Sequence, residues 1–185
     1  MTKIYITRET TASSLGAEDV LAAFLTEINY RNLDVEVVRN GSRGACFLEP
    51  LIEVETAEGR VGFGPIQSED VPELFDAIFL NKGKHKLALG NVEELPWFKN
   101  QERLTFARCG IIAATSVSEY KNLGGFAGLD KVLKNGGKGI IQEVLDSGLR
   151  GRGGAAFPTG IKWRTVAEAS ADQKYIVCNA DEGDS

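Results

Sequence analysis

The first eighty residues alternate between stretches of strand and helix periodicity. In chain order they predict a strand over 3–7, a helix over 17–30, strands over 33–38, 47–55 and 60–66, and a helix over 70–79. The last two strands are joined by a tight turn. This order, β-α-β-β-β-α, predicts a small α/β domain, an open sheet with helices, that ends near residue 80.

The regular pattern is lost between residues 81 and 101. The segment is polar and is broken by glycine and proline, which predicts a linker. His85, the only histidine, lies here between two lysines, so an exposed surface side chain is favoured over a catalytic base.

A second domain is predicted from residue 102 to residue 185. Its elements are a strand over 102–107, helices over 129–133, 139–146 and 159–169, and a buried strand over 174–178. The final residues, CNADEGDS, follow that last strand as a loop, so the chain reads as a fragment of a longer protein.

Composition narrows the function classes. The net charge of −5 provides no general basic field for nucleic acid or an anionic membrane. No apolar stretch is long enough for membrane insertion, and the start MTKIYITRETT lacks the apolar run of a signal peptide. Cys46, Cys109 and Cys178 are few and scattered, which indicates a reducing, cytoplasmic compartment instead of a disulfide scaffold.

The stretch SGLRGRGGAAFPTGIKW has the composition of an anion-binding loop. Gly151, Gly153 and Gly154 let backbone amides turn toward one point without a Cβ in the way. Arg152 and Lys162 add positive charge, and the following helix directs its positive end to the same place. The pattern predicts a phosphate site, and a flexible interdomain hinge is the alternative.

Two common phosphate motifs do not fit this loop. A Walker loop needs adjacent Gly-Lys, whereas Ile161 separates Gly160 from Lys162. The loose dinucleotide pattern Gly151-x-Gly153-x-x-Ala156 is present, but it follows a predicted helix instead of a strand, which disfavours an ordinary Rossmann site.

An acidic turn provides the second candidate half of the site. Asn179, Asp181, Glu182 and Asp184 come directly after the last predicted strand. Carboxylates and amides can bond to the hydroxyl and ring N–H groups of a nucleotide. A solvated turn is the alternative.

At these residues the chain resembles a known family. GLRGRGGAAFPTGIKW followed by YIVCNADEGDS resembles the FMN- and NADH-binding flavoprotein subunit of respiratory complex I. Its soluble relatives include diaphorase subunits of NAD-reducing hydrogenases and the beta subunit of molybdenum- or tungsten-dependent NAD-linked formate dehydrogenases. RLTFARCGII and YKNLGGFAGLDKVL resemble the lead-in, so the resemblance implies that 102–185 begins a Rossmann-like FMN/NADH-binding domain.

The resemblance implies a role for each candidate residue. Those expected around the FMN phosphate and ribityl chain are Gly151, Arg152, Gly153, Gly154 and Lys162. Asn179 and Asp181 would hold the flavin, with Glu182 and Asp184 toward the nicotinamide. Phe157 would stack on the adenine of NAD. The chain departs from the family pattern at Thr165, where many members carry a second stacking Phe, and at Asp184, where many carry Glu.

The implied chemistry is hydride transfer between NAD(H) and FMN, with single electrons passed to iron–sulfur centres. The flavin carries this chemistry, so no catalytic side chain is expected. A [4Fe–4S] cluster is expected only in a C-terminal region beyond residue 185. The resemblance also implies that the remainder of the nucleotide fold lies beyond residue 185, so the 185-residue piece alone is expected to bind FMN weakly or not at all.

The first eighty residues resemble the thioredoxin-like [2Fe–2S] domain that partners this flavoprotein. Alignment through LGAEDV and GSRGACFLEP puts Thr7, Ala12, Ser42 and Cys46 at the four cluster-ligand places. One thiolate cannot replace four ligands. The resemblance thus implies a degenerate domain that holds no metal and is retained for docking. With no cluster to bind, Cys46, Cys109 and Cys178 are expected at core or near-core positions.

Fusion of this domain to the flavoprotein looks most like the formate dehydrogenase beta subunit. The implied partners are an iron–sulfur gamma-type subunit with a thioredoxin-like [2Fe–2S] domain and a molybdopterin-containing catalytic alpha-type subunit. A hydrogenase diaphorase or complex I flavoprotein subunit is the alternative, and a non-catalytic docking module is the alternative of another class.

Overall fold

The chain divides into two compact units. The structure, a computed structural model, describes residues 1–81 and 83–179. The N-terminal unit covers 1–124 and the C-terminal unit covers 125–185. Residues 102–124, predicted to open the second domain, therefore lie in the first unit.

The N-terminal unit is built on one five-stranded sheet. Its strands are β1 Thr2–Ile6, β2 Val35–Val38, β3 Ile52–Thr56, β4 Gly59–Phe63 and β5 Ala88–Asn91. Its helices are α1 Thr10–Ser14, α2 Ala17–Arg31, α3 Val71–Phe79, α4 Pro96–Lys99 and α5 Val117–Asn122, with 3₁₀ turns at Cys46–Leu48, Ser68–Asp70 and Val92–Glu94. The strand order is β2-β1-β3-β4-β5. β1 and β2 are parallel, whereas β3 is antiparallel to both its neighbours, which confirms the expected thioredoxin-like α/β fold.

Helices α2 and α3 close the core of this unit. Val20 and Phe24 are one helical turn apart on α2 and therefore share its buried face. The Phe24 ring lies 5.0 Å from the ring of Phe75 on α3, and both are fully buried. The alternation of β1 places Ile4 and Ile6 in the same core.

The linker predicted over 81–101 is wrong. Within it, β5 pairs antiparallel with β4, through Gly62 opposite Gly90. The glycine that suggested a loop lies at φ +80° within the strand, beside a bulge, where the edge of the sheet bends. A short edge strand of this kind has too little periodicity to be distinguished from a loop by sequence.

The exposed surface position predicted for His85 is also wrong. Its side chain is fully buried, with the ring edge-on to Phe63 at 6.3 Å between centroids. Nδ1 accepts a hydrogen bond from the Leu87 N–H at 3.2 Å. The flanking lysines suggested solvent, but pairing of β5 with β4 draws the preceding loop over the core.

Two predicted strand segments in the first unit are not strands. The strand predicted over 47–55 begins only at Ile52, because Pro50 has no N–H to donate to a strand ladder. Residues 102–104 are irregular and residues 105–107 form a turn, and the chain just beyond them is held by side chains. Arg60 donates to the carbonyls of Gly110 and Ile111 at 3.1 and 2.6 Å. Those bonds give the carbonyls of Gly110 and Ile111 hydrogen-bond partners outside a sheet.

The C-terminal unit contains three helices among its described residues. They are α6 Ala127–Asn135, α7 Gly137–Asp146 and α8 Thr159–Glu168, at the predicted positions. α7 packs against both others, and α8 approaches closely at Gly160, where a Cβ would lie 2.7 Å from the Leu145 nitrogen. The close contact requires glycine at that position.

The strand predicted over 174–178 is not formed. The segment is irregular, and its Tyr175, Ile176 and Val177 are 74, 95 and 90% exposed. A strand needs a hydrogen-bonded neighbour, and no strand occurs among residues 125–179. The Rossmann-like sheet expected of this region is therefore not present in the described residues.

Candidate functional site

The glycine-rich loop joins α7 to α8 and is closed at its base by backbone hydrogen bonds. The Gly151 N–H donates to the Phe157 carbonyl, and the Thr159 N–H donates to the Leu149 carbonyl, both at 2.9 Å. The Gly151 amide is thereby committed within the loop and does not face a ligand. This corrects the expectation that all three glycine amides converge.

The tip of the loop remains accessible. A Cβ at Gly153 or Gly154 would meet no heavy atom within 4 Å, and both residues are exposed. Neither residue has a positive φ, so glycine is not needed here for its backbone conformation. What glycine contributes at both positions is the absence of a side chain. A ligand can thus approach these two amides closely.

Two cations flank the loop in different ways. Arg152 donates from Nη1 to the Arg150 carbonyl at 2.9 Å, which keeps its guanidinium over the loop. Lys162 lies in the first turn of α8, and its Nζ is 5.9 Å from the centroid of the Phe157 ring. No carboxylate among residues 1–81 and 83–179 forms an ion pair with either. Both charges are available to an anion.

Two open cavities adjoin Lys162. One of about 370 Å³ is lined by Phe157, Lys162, Thr165 and Val166. The other, of about 400 Å³, is mostly apolar and includes Trp163 and Ile176 in its lining. A flat ring system would find apolar surface in both, with a cation at the edge.

The acidic turn falls mostly beyond the described residues. Asn179 is described and exposed. Asp181, Glu182 and Asp184 lie outside the described residues. The pairing of this turn with the glycine loop stays a prediction.

The aligned cluster-ligand positions of the N-terminal unit are occupied by side chains unsuited to iron. Thr7 and Ala12 are buried, whereas Cys46 is exposed. The Ser42 hydroxyl lies 3.4 Å from Glu49 Oε1, and the hydroxyls of Thr7 and Ser42 both act to lower the pKa of Glu49 against the effect of burial. One thiol, two hydroxyls and a methyl are not the donor set of a [2Fe–2S] cluster. These residues therefore do not fit a cluster.

Glu49 is the buried carboxyl at the centre of this arrangement. It is 4% exposed, and its Oε2 accepts from the Leu51 N–H at 2.9 Å. Burial is the main cause that raises the pKa of Glu49, and the charge of Glu9 adds to it. Sequence reasoning missed this residue because it stands next to Pro50 in a segment interpreted as strand.

A buried ion network was also missed. Arg43 donates to both oxygens of Glu53, at 2.6 and 2.8 Å, and to Glu93 at 2.6 Å. Burial opposes the charged guanidinium, but the bonds to Glu53 and Glu93 outweigh it and raise the pKa of Arg43. The network joins β3 to the loop before it and to the turn after β5. It is structural.

The expected core positions of the three cysteines are wrong. Cys46, Cys109 and Cys178 are free and exposed. Each lies outside the helices and strands that form the cores, in a 3₁₀ turn or an irregular segment.

No helix within 1–81 and 83–179 is long and apolar enough to cross a bilayer.

Comparison with known proteins gives a family match that includes the glycine loop, and relatives that match part of the chain. The family described as the Nuo51 FMN-binding domain matches residues 144–185. The NADP-reducing hydrogenase subunit HndC of Solidesulfovibrio fructosivorans is 52% identical over 86 residues, which are 46% of this chain and 18% of that protein. The NAD-reducing hydrogenase HoxS subunit alpha of Cupriavidus necator is 52% identical over 56 residues, 30% of this chain and 9% of that protein.

The chain is also similar to a subunit of an NADH-quinone oxidoreductase and to a ferredoxin of known structure. An NADH-quinone oxidoreductase subunit of Rhizobium meliloti is 48% identical over 69 residues, 37% of this chain and 16% of that protein. A thioredoxin-like [2Fe-2S] ferredoxin from Aquifex aeolicus, as its Cys55Ser variant, superposes with a TM-score of 0.42 at 20% identity, covering 49% of this chain and 100% of the other. The chain spans less than a fifth of the length of these sequence relatives. The family match over residues 144–185, which contain the glycine loop, and the sequence relatives support the complex I flavoprotein family.

Proposed function

We propose that this chain is part of a flavoprotein subunit that transfers hydride between NAD(H) and FMN and exchanges single electrons with iron–sulfur clusters. The observation that carries the proposal is the match of residues 144–185 to an FMN-binding domain. That range contains the exposed glycine tip and the two available cations. FMN supplies the redox chemistry when bound.

The geometry of the loop fits a phosphate monoester. The amides of Gly153 and Gly154 are open to a ligand, and Arg152 and Lys162 supply the charge. Gly151 would act indirectly, since its N–H closes the loop. A phosphate here would face the positive end of α8.

The remaining assignments concern the rings of the two cofactors. Phe157 would stack on the adenine, since its ring is 45% exposed beside an open cavity. Asn179 and Asp181 would hold the flavin, and Glu182 and Asp184 would face the nicotinamide. HndC is named an NADP-reducing subunit, so NADPH is a substrate to test beside NADH.

The electron donor separates two versions of the proposal. The formate dehydrogenase beta subunit, with gamma-type iron–sulfur and molybdopterin alpha-type partners in the cytoplasm, rests on the fused thioredoxin-like unit. A hydrogenase diaphorase is favoured by the 52% identity to two hydrogenase subunits. A co-purifying molybdopterin oxidoreductase would support the first version, and a nickel–iron hydrogenase would support the second.

The test uses the full-length gene product. We expect stoichiometric FMN by fluorescence and reduction of ferricyanide by NADH or NADPH. Lys162→Ala should release FMN at lower concentrations of phosphate and salt than the wild type does. FMN retention equal to that of the wild type would remove Lys162 from the site. A flavin-free protein without diaphorase activity would leave a docking role for the chain.

A further inference from the structure

The Lys162 ammonium lies where an aromatic ligand of Phe157 would stack. Its Nζ is 5.9 Å from the ring centroid, within the range of a cation–π contact. Stacked aromatic rings have centroids about 4.5–7 Å apart. A base stacked on this face and the Lys162 ammonium therefore compete for the same space.

The cavity geometry identifies the face in question. Phe157 and Lys162 line the same cavity of about 370 Å³, together with Thr165 and Val166. The Thr165 hydroxyl donates to the Ile161 carbonyl at 2.9 Å and is turned back to its own helix. The walls are thus the Phe157 ring, aliphatic surface and the lysine, and the lysine is the part that can move.

Lys162 is free to leave the ring. It is exposed and has no ion-pair partner among residues 1–81 and 83–179. Its four-carbon stem carries the charge on a flexible arm. A phosphate monoester carries about −1.5 to −2 charge at neutral pH and attracts an ammonium more strongly than a ring face does.

We infer that Lys162 couples the two cofactor subsites: it covers Phe157 while the phosphate subsite is empty and uncovers it when the FMN phosphate binds. This rests on the proposed function, because it takes FMN as the anion and adenine as the base. The coupling favours an order of binding in which the flavin comes first and the dinucleotide second. Loss of an exposed cation–π contact sets the size of the effect at about two- to fivefold in affinity for the base.

The experiment measures binding of adenosine, which has no phosphate to respond to charge. Full-length protein stripped of flavin is compared with the same protein loaded with FMN or with riboflavin, which lacks the phosphate. We expect FMN to lower the Kd of adenosine two- to fivefold and riboflavin to leave it unchanged. An equal effect of both flavins, or no effect of either, would overturn the inference, as would absence of adenosine binding in the FMN-loaded protein.

Variants separate the lysine from other sources of coupling. Lys162→Met should bind adenosine equally with and without FMN, at the tighter wild-type level. Lys162→Arg should keep the coupling, because a guanidinium also stacks on aromatic rings. Lys138→Met removes the same charge from α7, outside the residues that line this cavity, and should keep the coupling.

Two failures are distinguishable. If the wild-type protein does not bind FMN, the proposed function fails. If FMN binds and adenosine affinity does not respond, only the coupling fails. Should Lys162→Met not fold, the comparison of FMN with riboflavin in the wild type still decides.

Discussion

Arg43→Met should destabilise the N-terminal unit far more than the loss of an exposed ion pair would. Arg43 and Glu53 are 2% and 1% exposed, and the guanidinium holds both carboxylate oxygens. Removal of the cation leaves the Glu53 charge buried, a loss of about 3–5 kcal/mol in the free energy of unfolding. Arg60 remains 3.4 Å from Glu53 Oε2, so we expect the lower end, about 3 kcal/mol.

The matched control is the exposed end of the same network. Glu93 also bonds to Arg43, but its side chain is 58% exposed, so Glu93→Gln should cost less than about 1 kcal/mol. The double variant Arg43→Met with Glu53→Leu removes both charges and should recover much of the loss.

The assay is urea unfolding of the 185-residue chain by far-UV circular dichroism, with midpoints compared at equal slopes. A loss for Arg43→Met no larger than that for Glu93→Gln would refute the reasoning. So would a double variant that is less stable than Arg43→Met alone.

Three further predictions concern Glu49 and the C-terminal unit. Because the pKa of Glu49 is raised in the folded state, the folded chain keeps this proton to a higher pH than the unfolded chain does. The contribution of Glu49 to the free energy of unfolding therefore falls as the pH rises from the unfolded-state pKa through the folded-state pKa. In urea titrations at several pH values, Glu49→Gln should reduce this dependence on pH, and above the folded-state pKa it should be more stable than the wild type. Gly160→Ala places a Cβ 2.7 Å from the Leu145 nitrogen and should lower the stability of the α7–α8 pair by about 1–3 kcal/mol. The control Gly139→Ala places its Cβ in open space on α7 and should raise the stability, because alanine favours a helix over glycine. Thermal unfolding of the full-length protein measures both changes. Phe157→Leu should weaken adenosine binding with or without FMN while FMN content stays at the wild-type level, and loss of FMN would contradict the assignment of this ring to the adenine.

Local chemistry was predictable wherever one short segment decided it. Helical periodicity placed α2, α3 and α7, since each has its apolar residues on one face. The pattern of glycines and cations before α8 predicted an exposed loop at the start of a helix, and the structure has one. Burial of His85 and the pairing of β5 were not predictable, because both depend on contacts with β4.

The sequence by itself determined the order of strands β1 to β4 and of helices α2 and α3, and the presence of a glycine loop flanked by charge. Propensity, periodicity and glycine content act over a few residues, so they can be interpreted without knowing the fold. Only the tertiary structure decided that Arg43 and Glu53 share one buried contact, that the Gly151 amide is used inside its loop, and that Lys162 lies over Phe157. Those outcomes depend on which groups the folded chain brings within a few ångströms, and burial then fixes what each polar contact contributes.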